Sequence, residues 1–131
     1  MSDQAIPKIR IAVVDDEKMI LNVFSSLMHQ FNYDAECFSN PLKALEVILS
    51  KPDRYQVIIS DIHMPEMEGI DLAKKVREVL PKMPFIFMTG ADVSDQMKKE
   101  ALELGHVAFL TKPFPLVETL KEVIPKFLGQ F

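Results

Sequence analysis

Short apolar runs alternate along the chain with longer amphipathic segments, and this alternation constrains the fold more than any other feature of the sequence. Four of the runs lack a helical period and predict buried strands: Ile9–Val14, Val57–Ser60, Phe85–Met88 and Val107–Leu110. A weaker run, Ala35–Phe38, predicts a fifth strand at an edge of the sheet. Continuous apolar strands are typical of parallel sheets, because such sheets are covered on both faces.

Five amphipathic segments follow these strands in turn, and each has apolar residues at the spacing of one helical face. The apolar stripes, in chain order, consist of Ile20, Val23, Phe24, Leu27, Met28 and Phe31; of Leu42, Leu45, Ile48 and Leu49; of Leu72, Ala73, Val76, Val79 and Leu80; of Val93, Met97, Ala101 and Leu104; and of Leu116, Leu120, Val123, Ile124 and Phe127. Asn40 and Pro41 suit the start of the second helix, Gly105 suits the end of the fourth, and Pro125 is expected to interrupt the fifth. The (βα) unit is therefore repeated five times, which predicts an α/β fold with a parallel sheet between two layers of helices.

The bulk composition narrows the class of protein further. The chain has 131 residues, of which 48% are hydrophobic and 26% charged, and no composition shift divides it, so we predict one domain over residues 1–131 with a core of about 8–128. A net charge of −4 gives no basic surface for direct nucleic-acid binding by this domain. Cys37 is the only cysteine, which excludes an intrachain disulfide. No apolar run has membrane-spanning length and Met1–Pro7 lacks a signal-peptide core, so the expected location is cytoplasmic.

Polar residues follow the predicted strands at one edge of the sheet, where ligands bind in open α/β folds. Asp15 and Asp16 follow the first strand, Asp61 the third, Thr89 the fourth and Lys112 the fifth. Clustered carboxylates repel one another, and a hard cation such as Mg²⁺ relieves that repulsion. A carboxylate nucleophile beside hydroxyl and ammonium donors is suited to accepting a phosphoryl group.

Four motifs at these strand ends resemble the signatures of the response regulator receiver family. They are Val13–Glu17, Asp61–Gly69, Met88–Gly90 and Leu110–Phe114, and the resemblance spans Lys8 to about Leu128. It implies a flavodoxin-like (βα)5 three-layer sandwich with a five-stranded parallel sheet of order 2-1-3-4-5. It also implies a phosphoacceptor protein of a two-component phosphorelay that catalyses only its own phosphorylation and slow dephosphorylation, and is otherwise no enzyme.

The resemblance implies a role for each acidic residue. Asp61 would take the phosphoryl group from a histidine kinase or a histidine phosphotransfer protein. Asp15, Asp16, Asp61 and the backbone carbonyl of His63 would hold Mg²⁺ as the cofactor. The imidazole of His63 either tunes the lifetime of the phosphoryl group or has no role.

The resemblance also implies how a signal leaves the site. Thr89 would hydrogen-bond the phosphoryl group, Lys112 would pair with it, and Lys112–Pro113 would form a cis peptide. Phe109 lies at the position of a switching aromatic, although it could equally be a core residue. Thr89 and Phe109 would change the surface of the fourth helix, fifth strand and fifth helix, which would control a downstream protein target or effector domain.

Structural explanations compete with these roles. Asp15 or Asp16 could cap the first helix, and Thr89 could cap the fourth, although Asp92 and Ser94 are alternative caps there. Residues Pro125–Phe131 could close the core, form a homodimer contact or belong to a linker.

Three other functional classes fit the sequence less well. An aspartyl phosphatase on a related fold would carry a second aspartate two residues after the nucleophile, where this chain has His63. A flavodoxin would need a hydroxyl- and glycine-rich phosphate loop after the first strand, where Asp15–Glu17 would repel a phosphate. A receiver that binds partners without phosphorylation would not need the complete set of site residues.

Overall fold

The computed structural model describes residues 8–130, and it confirms all five predicted strands. The strands are β1 (Ile9–Val14), β2 (Tyr33–Phe38), β3 (Val57–Asp61), β4 (Phe85–Thr89) and β5 (Val107–Thr111). Three of them end one residue later than predicted, so that Asp61, Thr89 and Thr111 belong to the sheet. Met1–Pro7 and Phe131 lie outside the described residues, and so do the predictions that concern them.

Helices follow the strands in the predicted order. They are α1 (Lys18–Met28), α2 (Pro41–Ser50), α3 (Gly69–Val79) and α4 (Asp95–Glu103), and a last helix, α5, which runs over residues 116–128. The Asn40 side chain caps α2 by accepting hydrogen bonds from the backbone N–H groups of Leu42 and Lys43, as the sequence predicts. No helix among residues 8–130 is long and apolar enough to cross a membrane.

All five strands are parallel, and their order is β2-β1-β3-β4-β5. This is the predicted flavodoxin-like topology. In the register, Val14 pairs with Phe38 on one side and with Ser60 on the other, while Asp61 pairs with Met88 and Thr89 pairs with Thr111. The carboxyl ends of β1, β3, β4 and β5 therefore meet at one edge.

The core has two halves, one on each face of the sheet. Ala12 and Val14 of β1 face the half that is covered by α2, α3 and α4, whereas Ile11 and Val13 face the half that is covered by α1 and α5. Because successive strand residues point to opposite faces, a strand that is buried on both faces must be apolar at every position. The predicted three-layer sandwich is thus confirmed.

The α5 helix is irregular close to Pro125, the residue expected to interrupt it. It consists of an α-helical turn (Leu116–Glu118), a π-helical segment (Thr119–Val123) and a second α-helical segment (Ile124–Leu128). In the π-helical segment the backbone N–H of Ile124 donates to the carbonyl of Thr119, five residues earlier. Phe127 is buried in the core, which confirms the core-closing role for that part of the tail.

Candidate functional site

The predicted site residues lie together at the carboxyl edge of the sheet. Asp15, directly after β1, is fully buried, and its Oδ1 accepts a hydrogen bond of 2.8 Å from the backbone N–H of Glu17. Asp61 is the last residue of β3, and its side chain is 13% exposed. Asp16 is exposed beside them. The topology therefore places one fully buried, one mostly buried and one exposed carboxylate at the same edge.

Lys112 joins these carboxylates through its ammonium group. Its Nζ lies 3.1 Å from Asp15 Oδ2, 3.2 Å from Asp61 Oδ2 and 3.2 Å from Glu17 Oε1. The backbone N–H of Lys112 donates to the carbonyl of Thr89 at 2.7 Å, and the Lys112–Pro113 peptide is cis, as predicted. No role of Glu17 was predicted, and its position directly after two aspartates is the only sequence signal for this contact.

Burial and charge shift the pKa values of these groups. Burial raises the pKa of Asp15, although the Glu17 N–H and Lys112 oppose the change. Burial, and then repulsion by Asp15, raise the pKa of Asp61. Burial alone would lower the pKa of Lys112, but hydrogen bonds and attraction to Asp15 and Asp61 outweigh it, so that its pKa lies above the usual value. One ammonium thus compensates the carboxylates only in part.

The residues present fit a divalent metal ion. One carboxylate oxygen each from Asp15, Asp16 and Asp61 can be chosen such that all three lie within 4.8 Å of one another. Oxygen donors in this number suit Mg²⁺. Burial and, to a smaller extent, repulsion by Asp15 raise the pKa of Asp61, and a bound cation would relieve the repulsion. The acidic cluster is therefore typical of the Mg²⁺ site of receiver domains.

Thr89 and Ser94 have different roles at the carboxyl end of β4. The Oγ1 of Thr89 is buried and, among residues 8–130, has no hydrogen-bond partner. The helix cap of α4 is instead Ser94, whose Oγ accepts a hydrogen bond of 3.2 Å from the N–H of Met97. The alternative that Thr89 caps α4 is wrong. A buried hydroxyl without a partner is costly, which points to a ligand.

The caps proposed for α1 are also wrong. The N-cap residue of α1 is Glu17, and no side chain makes a cap hydrogen bond there in the described structure. Asp15 instead forms a local turn with the N–H of Glu17, which holds its carboxylate toward Lys112.

The loop between β3 and α3 fixes the position of Asp61. The N–H of Gly69 donates to the carbonyl of Ile62 at 2.8 Å, and a Cβ at Gly69 would lie 2.1 Å from the carbonyl oxygen of Asp61. Only glycine allows this close approach. The His63 imidazole lies on the rim, with Nε2 3.0 Å from the carbonyl oxygen of Asp92 and Nδ1 3.8 Å from Glu68 Oε1.

Phe109 lies behind the site on β5 and is half-buried. Its ring centroid lies 6.1 Å from that of Phe87, which in turn stacks on Phe85 at 5.6 Å. This row of rings packs Phe109 against the core, and its switching role stays a prediction.

A doubly wound parallel sheet of order 2-1-3-4-5, with an acidic cluster at its carboxyl edge, defines the class of CheY-like proteins with a flavodoxin fold. Among solved structures, the chemotaxis protein CheY4 of Vibrio cholerae is 28% identical with a TM-score of 0.80, covering 92% of this chain and 98% of its own. A CheY-like receiver domain protein of Methanospirillum hungatei is 27% identical with a TM-score of 0.82, covering 94% and 96%.

Sequence comparison identifies the family. The profile of the response regulator receiver domain matches residues 11–124. The response regulator protein TodT of Pseudomonas putida is 35% identical over 123 residues, which cover 92% of this chain but 50% of TodT. The chain thus spans about half the length of this relative.

The chain therefore belongs to the response regulator receiver domain family. It is a receiver domain of two-component signalling, and its acidic triad Asp15, Asp16 and Asp61 is consistent with a phosphoacceptor site. Domains of this family are typically non-enzymatic and interact with histidine kinases.

Proposed function

We propose that Asp61 accepts a phosphoryl group from a histidine kinase or a histidine phosphotransfer protein, and that this changes the surface formed by α4, β5 and α5. The observation that carries the proposal is the contact of Lys112 with both Asp15 and Asp61 at 3.1–3.2 Å, beside the orphaned hydroxyl of Thr89. Asp61 is the most suitable nucleophile because Asp15 is fully buried and Asp16 is exposed at the rim.

Each residue has a distinct part in this mechanism. Asp15, Asp16, Asp61 and the backbone carbonyl of His63 would hold Mg²⁺, which when bound supplies positive charge against the carboxylates and the phosphoryl oxygens. The Oδ of Asp61 attacks phosphorus and the donor histidine leaves. Lys112 then pairs with the transferred oxygens in place of its contact with Asp61.

The Thr89 hydroxyl, which lacks a partner among residues 8–130, couples the site to the output surface, by which we mean the surface formed by α4, β5 and α5. Phosphorylation adds nearly two negative charges and three acceptor oxygens at Asp61. Thr89 gains a partner for Oγ1 by donating to one of these oxygens, and Phe109 follows it by packing further inward. The phosphoryl group thereby favours one of two arrangements of α4, β5 and α5, as a switch requires. We also infer that residues 1–131 belong to a single receiver domain, with a core of about 8–128.

Intact-mass spectrometry after incubation with acetyl phosphate and Mg²⁺ tests the phosphoacceptor. We expect a labile gain of one phosphoryl group that is lost with EDTA and in Asp61→Asn. The matched control is Asp53→Asn, which removes an exposed carboxylate outside the site and should leave the gain unchanged. A phosphoryl gain that persists in Asp61→Asn would exclude Asp61 as the phosphoacceptor. No gain in a folded, Mg²⁺-binding chain, even from a phosphohistidine donor, would favour a phosphate-independent binding module.

Amide hydrogen exchange with beryllofluoride, a phosphoryl mimic, tests the switch. We expect exchange to change in α4, β5 and α5 of the unsubstituted chain, and to change much less in Thr89→Val, which removes the hydroxyl but keeps the shape. If exchange in α4, β5 and α5 stayed unchanged in a chain that binds the mimic, the proposal that these elements form the output surface would be wrong.

A further inference from the structure

Arg77, in the last turn of α3, makes contacts that the phosphoacceptor site does not use. Its Nε donates to the carbonyl of Met83 at 2.7 Å, its Nη1 to the carbonyl of Leu104 at 2.9 Å, and its Nη2 to the carbonyls of Gly105 at 2.8 Å and His106 at 3.2 Å. We call these four contacts the Arg77 clamp. One guanidinium thereby joins α3, the loop before β4 and the connection from α4 to β5.

The backbone after α4 is shaped to receive this cation. Gly105 and His106 have φ angles of +69° and +52°, two consecutive residues in the left-handed region. This turn brings the carbonyl oxygens of residues 104–106 toward one point. Carbonyls at the C-terminus of a helix also carry partial negative charge and lack intrahelical partners. A planar guanidinium with five donors matches such a group of acceptors.

The Arg77 guanidinium also contacts an aromatic ring of the core. The guanidinium lies 5.8 Å from the centroid of the Phe85 ring, at the start of β4. Lysine has a single ammonium group and cannot reproduce both the ring contact and donation in four directions. Arg77 is therefore not replaceable by another cation at this position.

The attachments of α4 are unequal along its length. Within Asp95–Glu103 the buried residue is Ala101, in the C-terminal half, and the neighbouring Glu100 pairs with Lys74 of α3 at 2.5 Å. The N-terminal half is held by apolar contacts of the half-buried Met97 and, before the helix, of the buried Val93. One directional contact, from His63 Nε2 to the carbonyl oxygen of Asp92, lies before the helix, whereas the contacts of Lys74 and Arg77 with residues 100–106 lie at the C-terminal end, away from Thr89.

We infer that the Arg77 clamp fixes the C-terminal end of α4 and the start of β5, so that this end is a pivot and the N-terminal half of α4 is the part that moves. The clamp itself is independent of phosphorylation, whereas the movement rests on the proposed function. The inference limits the conformational change to the segment that directly follows the phosphoacceptor site.

Amide exchange of the unmodified full chain tests the clamp. In Arg77→Lys we expect the protection of the Leu104 and Gly105 amides, relative to that of β3 amides, to fall by at least about tenfold, because charge-assisted hydrogen bonds at this turn are lost. Lys75→Met removes an exposed cation from the same helix and should leave this ratio unchanged. Val76→Ala lowers global stability through the buried core, which lowers the protection of β3 amides at least as much as that of the turn, so it should not lower the ratio. A ratio that falls no further in Arg77→Lys than in Val76→Ala would overturn the clamp.

Beryllofluoride with Mg²⁺ tests the pivot in the same samples. In the unsubstituted chain we expect exchange at Lys98 and Lys99 to change by at least about threefold while Leu104 and Gly105 change by less than about twofold. In Arg77→Lys the change should extend to both ends. An equal change at both ends of the unsubstituted chain would overturn the pivot. No change in exchange at either end of α4, together with no phosphoryl gain from acetyl phosphate, would overturn the proposed function and the movement of α4. The Arg77 clamp would still be decided by comparing Arg77→Lys with Val76→Ala.

Discussion

At the scale of single residues, Lys112 holds a position that three carboxylates share. Asp15, Asp61 and Glu17 all contact its Nζ, so none of them has an ion pair of its own. Removal of this shared ammonium would leave the buried carboxylates of Asp15 and Asp61 without a compensating charge. Without a bound cation, attraction to Lys112 therefore holds the three carboxylates together. Any further negative charge at this position would be destabilising unless a cation also bound.

Gly69→Ala should damage both the fold and the phosphoacceptor. The added Cβ would lie 2.1 Å from the carbonyl oxygen of Asp61, a backbone atom that cannot move without shifting Asp61, the proposed nucleophile. We expect a loss of about 3 kcal/mol in the free energy of unfolding, measured in urea, and at least a tenfold loss of phosphorylation rate. Gly129→Ala, whose Cβ would meet its nearest atom at 3.3 Å, should cost much less. Equal effects of the two substitutions would contradict the proposed role of Gly69.

The identities of the site residues could be predicted from the sequence, but some of their contacts could not. Strand ends and motifs pointed to Asp15, Asp61, Thr89 and Lys112, and the topology brings these residues to one edge. The contact of Lys112 with Glu17 and the missing partner of Thr89 depend on side-chain positions across 95 residues of chain and on local burial. Apolar periodicity indicates neither of them, and the motif that contains Glu17 does not specify which side chain it contacts.

At the scale of elements, α5 shows how a proline is accommodated inside a buried helix. In the π-helical register, the carbonyl of Leu120 would accept a hydrogen bond from the N–H of residue 125, which proline lacks. The hydroxyl of Tyr33, from the start of β2, donates to this carbonyl instead at 2.6 Å. A side chain on the edge strand thereby satisfies a backbone group that the helix itself leaves unpaired.

Tyr33→Phe should reveal this compensation. We expect it to lower the free energy of unfolding by about 1–3 kcal/mol, because the buried carbonyl of Leu120 loses its partner. In a Pro125→Ala background, the new N–H can bond within the helix, and the cost should fall by about 1 kcal/mol. Urea unfolding of the four proteins gives this coupling, and equal costs in both backgrounds would exclude it. Tyr55→Phe is the matched control, since the Tyr55 hydroxyl lies near Glu36 and Arg54 rather than at α5, so that its removal should cost the same in both backgrounds.

The order and type of the elements followed from apolar periodicity, whereas the faces of the helices were predicted less well. Val23, Leu42 and Val79 belong to the predicted apolar stripes but are 44–56% exposed. Leu21 and Ile70, outside the stripes, are buried. A stripe indicates a face only to within about one residue, because a helix advances 100° per residue and its rotation is set by packing against the sheet.

At the scale of the whole molecule, the carboxylates buried at the carboxyl edge of the sheet lower the free energy of unfolding, and the same carboxylates form the candidate metal site. The sheet buries Asp15 completely and Asp61 largely, and burial raises the pKa of both. A raised pKa in the folded state means that the folded chain binds protons more tightly than the unfolded chain. The contribution of these groups to stability is thus greatest at low pH and falls as the pH rises through their folded pKa values.

Mg²⁺ should therefore stabilise the chain in a pH-dependent way. At a concentration about a hundredfold above its dissociation constant, we expect a gain of about 2.7 kcal/mol near pH 7.5. The gain at the same concentration should be smaller near pH 5, because protons compete for the same carboxylates. Asp61→Asn should raise metal-free stability on the order of 1 kcal/mol and lose most of the Mg²⁺ effect, whereas Asp53→Asn should keep it. Thermal unfolding with and without EDTA measures this, and an equal Mg²⁺ effect at both pH values would reject it.

The strand order also bears on how the chain acquires its structure during synthesis. Because β1 lies between β2 and β3, its backbone groups pair with Tyr33–Phe38 on one edge and with Val57–Asp61 on the other. Of the three strands that have a neighbour on each edge, β1 is the first for which both neighbours have been translated, and this requires β3 to be complete. Until the ribosome has passed Ser60, the last β3 residue that pairs with β1, the apolar β1 strand has one open edge that is free to pair with another chain.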